Sequence, residues 1–433
     1  MIWNKAFECA SRTEMRKLQS ERLGKLVRYL WAKNPLYSKR FAEQGIKPGM
    51  IRDIRDIKKL PFTVKEDLRD SYPFALFTDY KNTTEIHVSS GTTGNPTVVG
   101  YTKEDLKLWS EVMARTLALA GAHPGDMIQV AYGYGLFTGG LGFHYGALEM
   151  GLKVLPTSSG VTKRQLKLMA DFRPRLLACT PSYALYMLDE ARALGLDPRN
   201  SSWEIGIFGA EPWSDPMRRQ IEEAWGMAAY DVYGLSEIIG PGVAQECPAK
   251  CGLHLQWDVF FPEVIDPVSG QEVADGERGE LVITTLTKRG IPLLRYRTRD
   301  LVSINYDRCS CGRTTPRISK IVGRTDDMII VRGINVFPSQ VEYVLLKIEG
   351  TAPHYLLVVD RKNNLDVLEV WVEVDQKMFS DEIKQLHALE SRIKNEIDGV
   401  LGIDVTVKLV EPRTIERSEG KAKRVIDKRG LYS

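Results

Sequence analysis

The 433-residue sequence has no long apolar run, no marked excess of one charge and no cysteine framework. No stretch approaches the roughly 18 consecutive apolar residues that a membrane-spanning helix needs, so a membrane partner is not expected. The opening residues, MIWNKAFECASRTEMRK, lack the uninterrupted apolar segment of a secretory signal, and a cytoplasmic setting is expected. Lys and Arg total 59 against 56 Asp and Glu, a formal charge of +3. Nucleic acid wants concentrated positive charge, and none is offered here. Six cysteines are too few for a disulfide scaffold in a chain of this length. Four of them fall in two close pairs, which in a reducing compartment point to metal before disulfide. There is no internal repeat and no low-complexity segment. What remains is ordinary globular composition, 43% apolar and 27% charged, in a length that suits two domains.

Residues 13–31 carry apolar side chains at three- and four-residue steps (Met15, Leu18, Leu26, Val27, Leu30) and predict a helix. From about 100 to 235, short apolar runs at 127–131, 152–155, 176–179, 205–208 and 229–232 alternate with amphipathic stretches at 162–171, 182–194 and 215–225. Such alternation predicts βαβ units and a mostly parallel sheet. Residues 258–322 turn β-rich, with runs at 259–265, 280–286 and 301–304 between Gly, Pro and Asp turns. After Gly323 the order becomes helix (339–348), strands (355–359, 367–374), helix (381–398), strand (405–410). The expected fold is therefore α/β. A large N-terminal domain over 1–323 has parallel and mixed sheets and a β-rich part from about 245 to 322. A small α+β domain over 324–433 follows.

Ser89-Ser90-Gly91-Thr92-Thr93-Gly94-Asn95-Pro96-Thr97 follows the strand-like 85–88. Its glycines let backbone approach a ligand, and successive N–H groups and hydroxyls can line one phosphate-holding concavity. The lysine of a P-loop is missing and the glycines stand closer together; alone, the segment reads equally as a solvated turn. Other segments change that balance. Tyr233-Gly234-Leu235-Ser236-Glu237 offers an aromatic face beside a carboxylate able to hold Mg2+. Tyr296-Arg297-Thr298-Arg299-Asp300 puts a carboxylate where strands end, suited to a ribose diol. Gly323-Arg324-Thr325-Asp326-Asp327 lies at the domain boundary, and Ser418-Glu419-Gly420-Lys421 presents a lysine next to glycine.

In this order the segments resemble the adenylate-forming superfamily of acyl-CoA synthetases and luciferase-like enzymes, and within it the phenylacetate–CoA ligase branch. The resemblance rests on SSGTTGNPTVVGYT (89–102), YGYGLFTGGLGFHYG (132–146), DVYGLSEIIGPGVAQEC (231–247), RYRTRDL (295–301), GRTDDMIIVRGINVFPSQVE (323–342) and IERSEGKAKRVID (415–427). It covers essentially the whole chain. Thr97 stands where many members of the wider superfamily carry lysine, and this branch lacks that lysine too. The resemblance implies two half-reactions: a carboxylate attacks the α-phosphate of ATP to give acyl-adenylate and pyrophosphate, and the thiol of coenzyme A then displaces AMP.

Roles follow from the same resemblance. Ser89, Ser90, Gly91, Thr92, Thr93 and Gly94 cradle phosphates; Gly209, Ala210 and Glu211 lie along the adenine, and Tyr233 stacks on it. Glu237 holds Mg2+, Asp300 binds the ribose, and Arg324 reaches the nucleotide. Lys421 bridges the acid and the α-phosphate. The small domain is mobile, turning about Asp326 to bring Gly333 to the CoA channel. Members of the family are often homodimers.

Residues 132–142 hold five glycines and three aromatics, giving room and ring faces for an aryl acid. Tyr134, Phe137, Ile238 and Pro241 are the expected acid contacts, and nothing basic is placed to hold a second carboxylate. Cys247, Cys251, His254, Cys309 and Cys311 supply five ligands at spacings that suit tetrahedral Zn2+. The resemblance selects Cys247, His254, Cys309 and Cys311 and leaves Cys251 spare. The expected activity is ATP-dependent ligation of an aryl acid, phenylacetate first, to CoA. The alternatives are an adenylyltransferase that passes AMP to a deazaflavin coenzyme, and a zinc-stabilised nucleotide-binding protein without catalysis.

Overall fold

A computed structural model describes residues 1–74, 76–89, 95–321, 323–324, 329–332, 334–362, 365–374, 383–417 and 422–429. The chain forms two compact units: one from 1–179, 201–210 and 228–320, the other from 180–200, 211–227 and 321–433. No helix among the described residues is long and apolar enough to cross a membrane.

The first unit is built on a mixed nine-stranded sheet. Five neighbouring strands run parallel, in the spatial order Ala228–Leu235, Ile205–Gly209, Leu176–Cys179, Met127–Val130 and Lys153–Leu155. They match the apolar runs of the sequence, because strands buried on both faces need no alternation. Past Ala228–Leu235 the sheet continues antiparallel through Gly240–Glu246, Leu253–Leu255, Arg317–Ile318 and Ile304–Asn305. Part of the expected β-rich region is thus an edge of the main sheet. The rest, Phe260–Ile265, Gly279–Thr285 and Tyr296–Val302, makes a separate antiparallel sheet of three strands.

Two corrections follow. Asp300 does not sit where a strand ends but inside Tyr296–Val302. The expected run at 301–304 caught only the end of this strand, because its buried face mixes Tyr296, Thr298, Asp300 and Val302. The N-terminal helix, Arg12–Lys33, is opened by a capping box between Ser11 and Glu14 and is followed by a second helix, Pro35–Glu43, which its short periodicity concealed. Leu23, Leu26, Val27 and Leu30 of the first pack with Tyr37 and Phe41 of the second.

Helices Lys103–Ala120 and Thr138–Met150 pack on each other, and both contact strand Gly240–Glu246. Their close approach depends on missing side chains. A Cβ on Gly146 would lie 2.3 Å from Met113 Cβ, and one on Gly142 2.6 Å from Pro241 Cγ. Lys103–Ala120 also buries Arg115, whose guanidinium meets Asp258 at 2.8 Å with both side chains 2% exposed.

In the second unit, helices Pro338–Leu345 and Ile383–Leu401 contribute Val341, Val344, Ile393 and Ile397 to a core shared with Leu357, Val359, Leu368 and Val370. Those strand residues belong to a four-stranded sheet ordered Thr406–Val410, Leu365–Val374, Thr351–Lys362, Val425–Asp427. The last strand, only three residues long, pairs parallel to Thr351–Lys362 and extends the expected α-β-β-α-β order by one.

Replacing Arg115 with Met leaves the buried Asp258 carboxylate short of its main partner. A loss of about 3–5 kcal/mol is expected, read as a lower urea midpoint; an unchanged midpoint would show that the pair contributes no net stability.

Candidate active site

Ser89 and Thr97, which flank the expected phosphate segment, are bonded to each other. Ser89 directly follows strand Thr83–Val88 and Thr97 directly precedes strand Val98–Thr102, and the two strands pair antiparallel. Ser89 donates its N–H to the Thr97 carbonyl at 2.8 Å and accepts from the Thr97 N–H on Oγ at 2.9 Å. Ser90, Gly91, Thr92, Thr93 and Gly94 lie outside the described residues, as do Asp326, Gly333 and Lys421.

Two expected nucleotide residues meet although 67 positions separate them. The Tyr233 hydroxyl, on a strand of the large sheet, donates to Asp300 Oδ2 of the three-stranded sheet at 2.6 Å, and both are buried. Gly209 ends the neighbouring parallel strand. A Cβ there would fall 2.3 Å from the Val232 carbonyl oxygen, so only glycine lets these strands end so close together. Ala210 follows at φ +67°, a left-handed turn. Glu211, in the second unit, accepts the main-chain N–H groups of Ser182 (2.8 Å) and Ala422 (3.0 Å), one on each oxygen. Arg324 is half-buried.

Glu237 is buried in a tight turn after Tyr233, with Lys65 Nζ 3.6 Å from its Oε1. The turn's other partners come from afar. Lys288, fully buried, donates through Nζ to the carbonyls of Glu237 (3.1 Å) and Ile238 (2.8 Å). The Tyr101 hydroxyl donates to the Ile239 carbonyl at 3.0 Å. Burial pulls the Lys288 pKa down to about 8, against the pull of Asp105 and Glu237. Lys65, Tyr101 and Lys288 were missed by sequence reasoning: Lys288 in TLTKRG looks like a solvated turn charge, and only its burial distinguishes it.

The expected acid contacts fall on adjoining segments. Thr138 Oγ1 and Ser236 Oγ, 3.1 Å apart, join the glycine-rich stretch to the Glu237 turn. The Tyr134 hydroxyl lies 3.3 Å from His144 Nδ1, and burial raises its pKa. Ile238 is fully buried, Pro241 half-buried and Phe137 53% exposed. Gly140 and Gly142 are used for packing: a Cβ on Gly140 would meet the Gly133 carbonyl oxygen at 2.7 Å.

At the antiparallel edge of the large sheet, Cys247 Sγ, Cys309 Sγ, Cys311 Sγ and one ring nitrogen of His254 all lie within 4.8 Å of one another. Cys247 and Cys309 are 3.7 Å apart, and Cys311 Sγ is 3.5 Å from His254 Nε2. The other ring nitrogen, Nδ1, faces Thr315 Oγ1 at 2.8 Å, which orients the imidazole. The Cys311 thiol is held below its ordinary value by the Cys247 thiol, with His254 adding to it. Cys251 is exposed and not one of this group of four, although its Sγ also lies 3.7 Å from Cys309 Sγ, and it accepts a bond from Arg317 at 2.6 Å.

Residues 73–287 match the family model of AMP-binding enzymes, and residues 333–429 that of the AMP-binding enzyme C-terminal domain. The phenylacetate-coenzyme A ligase of Thermus thermophilus is 48% identical, covering 99% of this chain and 100% of its own. That of Escherichia coli is 45% identical, covering 98% and 97%. Among solved structures, 2-hydroxyisobutyryl-CoA ligase in the postadenylation state with R3-HIB-AMP superimposes with a TM-score of 0.93 at 28% identity, covering 100% of this chain and 93% of that one. The same enzyme with 2-HIB-AMP and CoA in the thioesterification state gives 0.72 at 30% identity, again covering 100% and 93%.

Proposed function

The chain belongs to the phenylacetate–CoA ligase branch of the adenylate-forming AMP-binding enzymes, and from that premise we propose that its acid substrate is phenylacetate. It is an AMP-forming acid–CoA ligase, which activates a carboxylic acid with ATP and transfers the acyl group to CoA. The observation that carries the choice of acid is the identity of 45–48% to phenylacetate-coenzyme A ligases over nearly the whole chain. An aryl ring also suits the apolar and aromatic set Tyr134, Phe137, Ile238 and Pro241. ATP and CoA as co-substrates, with free thiols throughout the chain, suit a cytoplasmic setting.

Chemistry assigns the remaining roles. Negative charge develops on phosphate oxygens during activation, so positioned donors and cations do most of the work. Residues 89–94 hold the phosphates, and Gly209, Ala210 and Glu211 line the base beside Tyr233. The Tyr233 hydroxyl holds one oxygen of Asp300 and so orients that carboxylate for the ribose hydroxyls. Glu237 supplies a hard oxygen for Mg2+, Arg324 a cation at the nucleotide, and Lys421 a cation where acid and α-phosphate meet. In this scheme residues 324–433 are a mobile domain hinged at Asp326, with Gly333 serving the CoA step.

For Cys247, His254, Cys309 and Cys311 we propose structural zinc. A tetrahedral ion with bonds of about 2.3 Å to sulfur and about 2.0 Å to nitrogen spaces its ligands by about 3.5–3.8 Å, which the 3.7 and 3.5 Å separations match. Four protein ligands leave no open position for catalysis. The ion would tie the turn between two edge strands to the loop after Gly240–Glu246.

Three outcomes are expected. A panel of carboxylic acids assayed for AMP release should rank phenylacetate first and require CoA; AMP release independent of CoA would favour adenylyl transfer instead. Lys421→Ala should lose adenylate formation by about 100-fold or more yet still convert supplied acyl-adenylate to acyl-CoA; an equal fall in both steps would contradict the role given to Lys421. Gentle, chelator-free purification should retain about one zinc per chain, and less than about half an equivalent would refute the zinc site.

A further inference from the structure

The buried ammonium of Lys288 lies outside every motif, yet it touches the turn that carries Glu237. Ile238 and Ile239 both donate their N–H groups to the Leu235 carbonyl, so two of the turn's amides are satisfied within it. Its three successive carbonyls, 237, 238 and 239, are met from outside, by Lys288 on the first two and Tyr101 on the third. Buried carbonyls demand donors, and an ammonium is a compact source of three.

Lys288 is itself held. Asp105 caps the helix Lys103–Ala120 by accepting the Thr102 N–H at 3.0 Å. The same carboxylate accepts the N–H groups of Arg289 and Gly290, each at 2.7 Å. A Cβ on Gly290 would come within 2.4 Å of the Gly100 carbonyl oxygen, so glycine is what allows this approach. The Lys288 ammonium also lies 5.1 Å from the centre of the Tyr101 ring.

We propose that Lys288 is a positioning residue for acid activation: by gripping the carbonyls of Glu237 and Ile238 it presents the Glu237 carboxylate to Mg2+ in a single orientation. This rests on the reading of Glu237 as the Mg2+ ligand. Lys288 touches no reacting atom, and its effect passes through the turn.

The test measures acid-dependent ATP–pyrophosphate exchange across a Mg2+ titration, with CoA-dependent consumption of supplied acyl-adenylate as the second readout. Lys288→Met should raise the half-saturating Mg2+ and lower exchange by about 10-fold or more, the usual cost of losing a partner behind a metal ligand. Consumption of acyl-adenylate should change by less than about twofold, because that step does not use the Mg2+-bound triphosphate. Tyr101→Phe, which removes one donor and keeps the ring, should shift Mg2+ dependence in the same direction by a smaller factor, and it decides the matter if Lys288→Met does not fold. Unchanged Mg2+ dependence, or an equal fall in both half-reactions, would overturn the proposal. Glu237→Gln separates the two ideas. If it moves the Mg2+ dependence and Lys288→Met does not, the role of Lys288 fails alone; if neither moves it, the reading of Glu237 fails as well.

Discussion

The site depends on one constraint: three consecutive carbonyls of a buried turn must find donors, and the chain supplies them from two distant segments. Lys288 and Tyr101 meet that need at Glu237, Ile238 and Ile239. Because an unmet carbonyl in a low-dielectric interior costs more than a hydrogen bond returns, the turn has little freedom to adopt another shape. Its flanks are held as firmly. On one side the Tyr233 hydroxyl is bound to Asp300. On the other, the Trp109 indole donates to the Pro241 carbonyl at 3.0 Å. Nine residues therefore carry the proposed base, metal and acid contacts on one rigid stretch of backbone.

Glycine makes that stretch buildable. A Cβ on Gly234 would approach the Gly240 carbonyl oxygen to 2.0 Å, and one on Gly142 would strike Pro241 and Trp109. The absence of side chains at these points is a packing requirement, and it draws the two helices, the strand Gly240–Glu246 and the turn together. The glycines of 132–142 are thus only partly available to give a substrate room, since Gly140 and Gly142 spend theirs on neighbouring backbone and rings.

The antiparallel edge of the large sheet has its own logic. Its outer strands, Ile304–Asn305 and Arg317–Ile318, are two residues each, too short to hold a register by ladder bonds alone. The Cys and His side chains converge there, on the turn between those strands and on the two segments beside them. A cross-link at that place would supply the order that two-residue strands lack.

The sequence by itself determined the parallel half of the large sheet, whose wholly apolar runs announce burial on both faces. It also carried the nucleotide motifs, because phosphate, base and ribose need particular residue types at short spacings, and it carried the four clustered metal-ligand candidates. Strand Tyr296–Val302 showed only at its end and the three-residue strand Val425–Asp427 left no trace, since one buries polar side chains and the other is too short for a period. Only the tertiary structure decided that Asp300 meets Tyr233 and that Lys288 is a buried donor to the Glu237 turn. The reason is physical: side-chain type and local spacing record what a segment can do, whereas burial and hydrogen-bond partners are set by segments tens to hundreds of residues away.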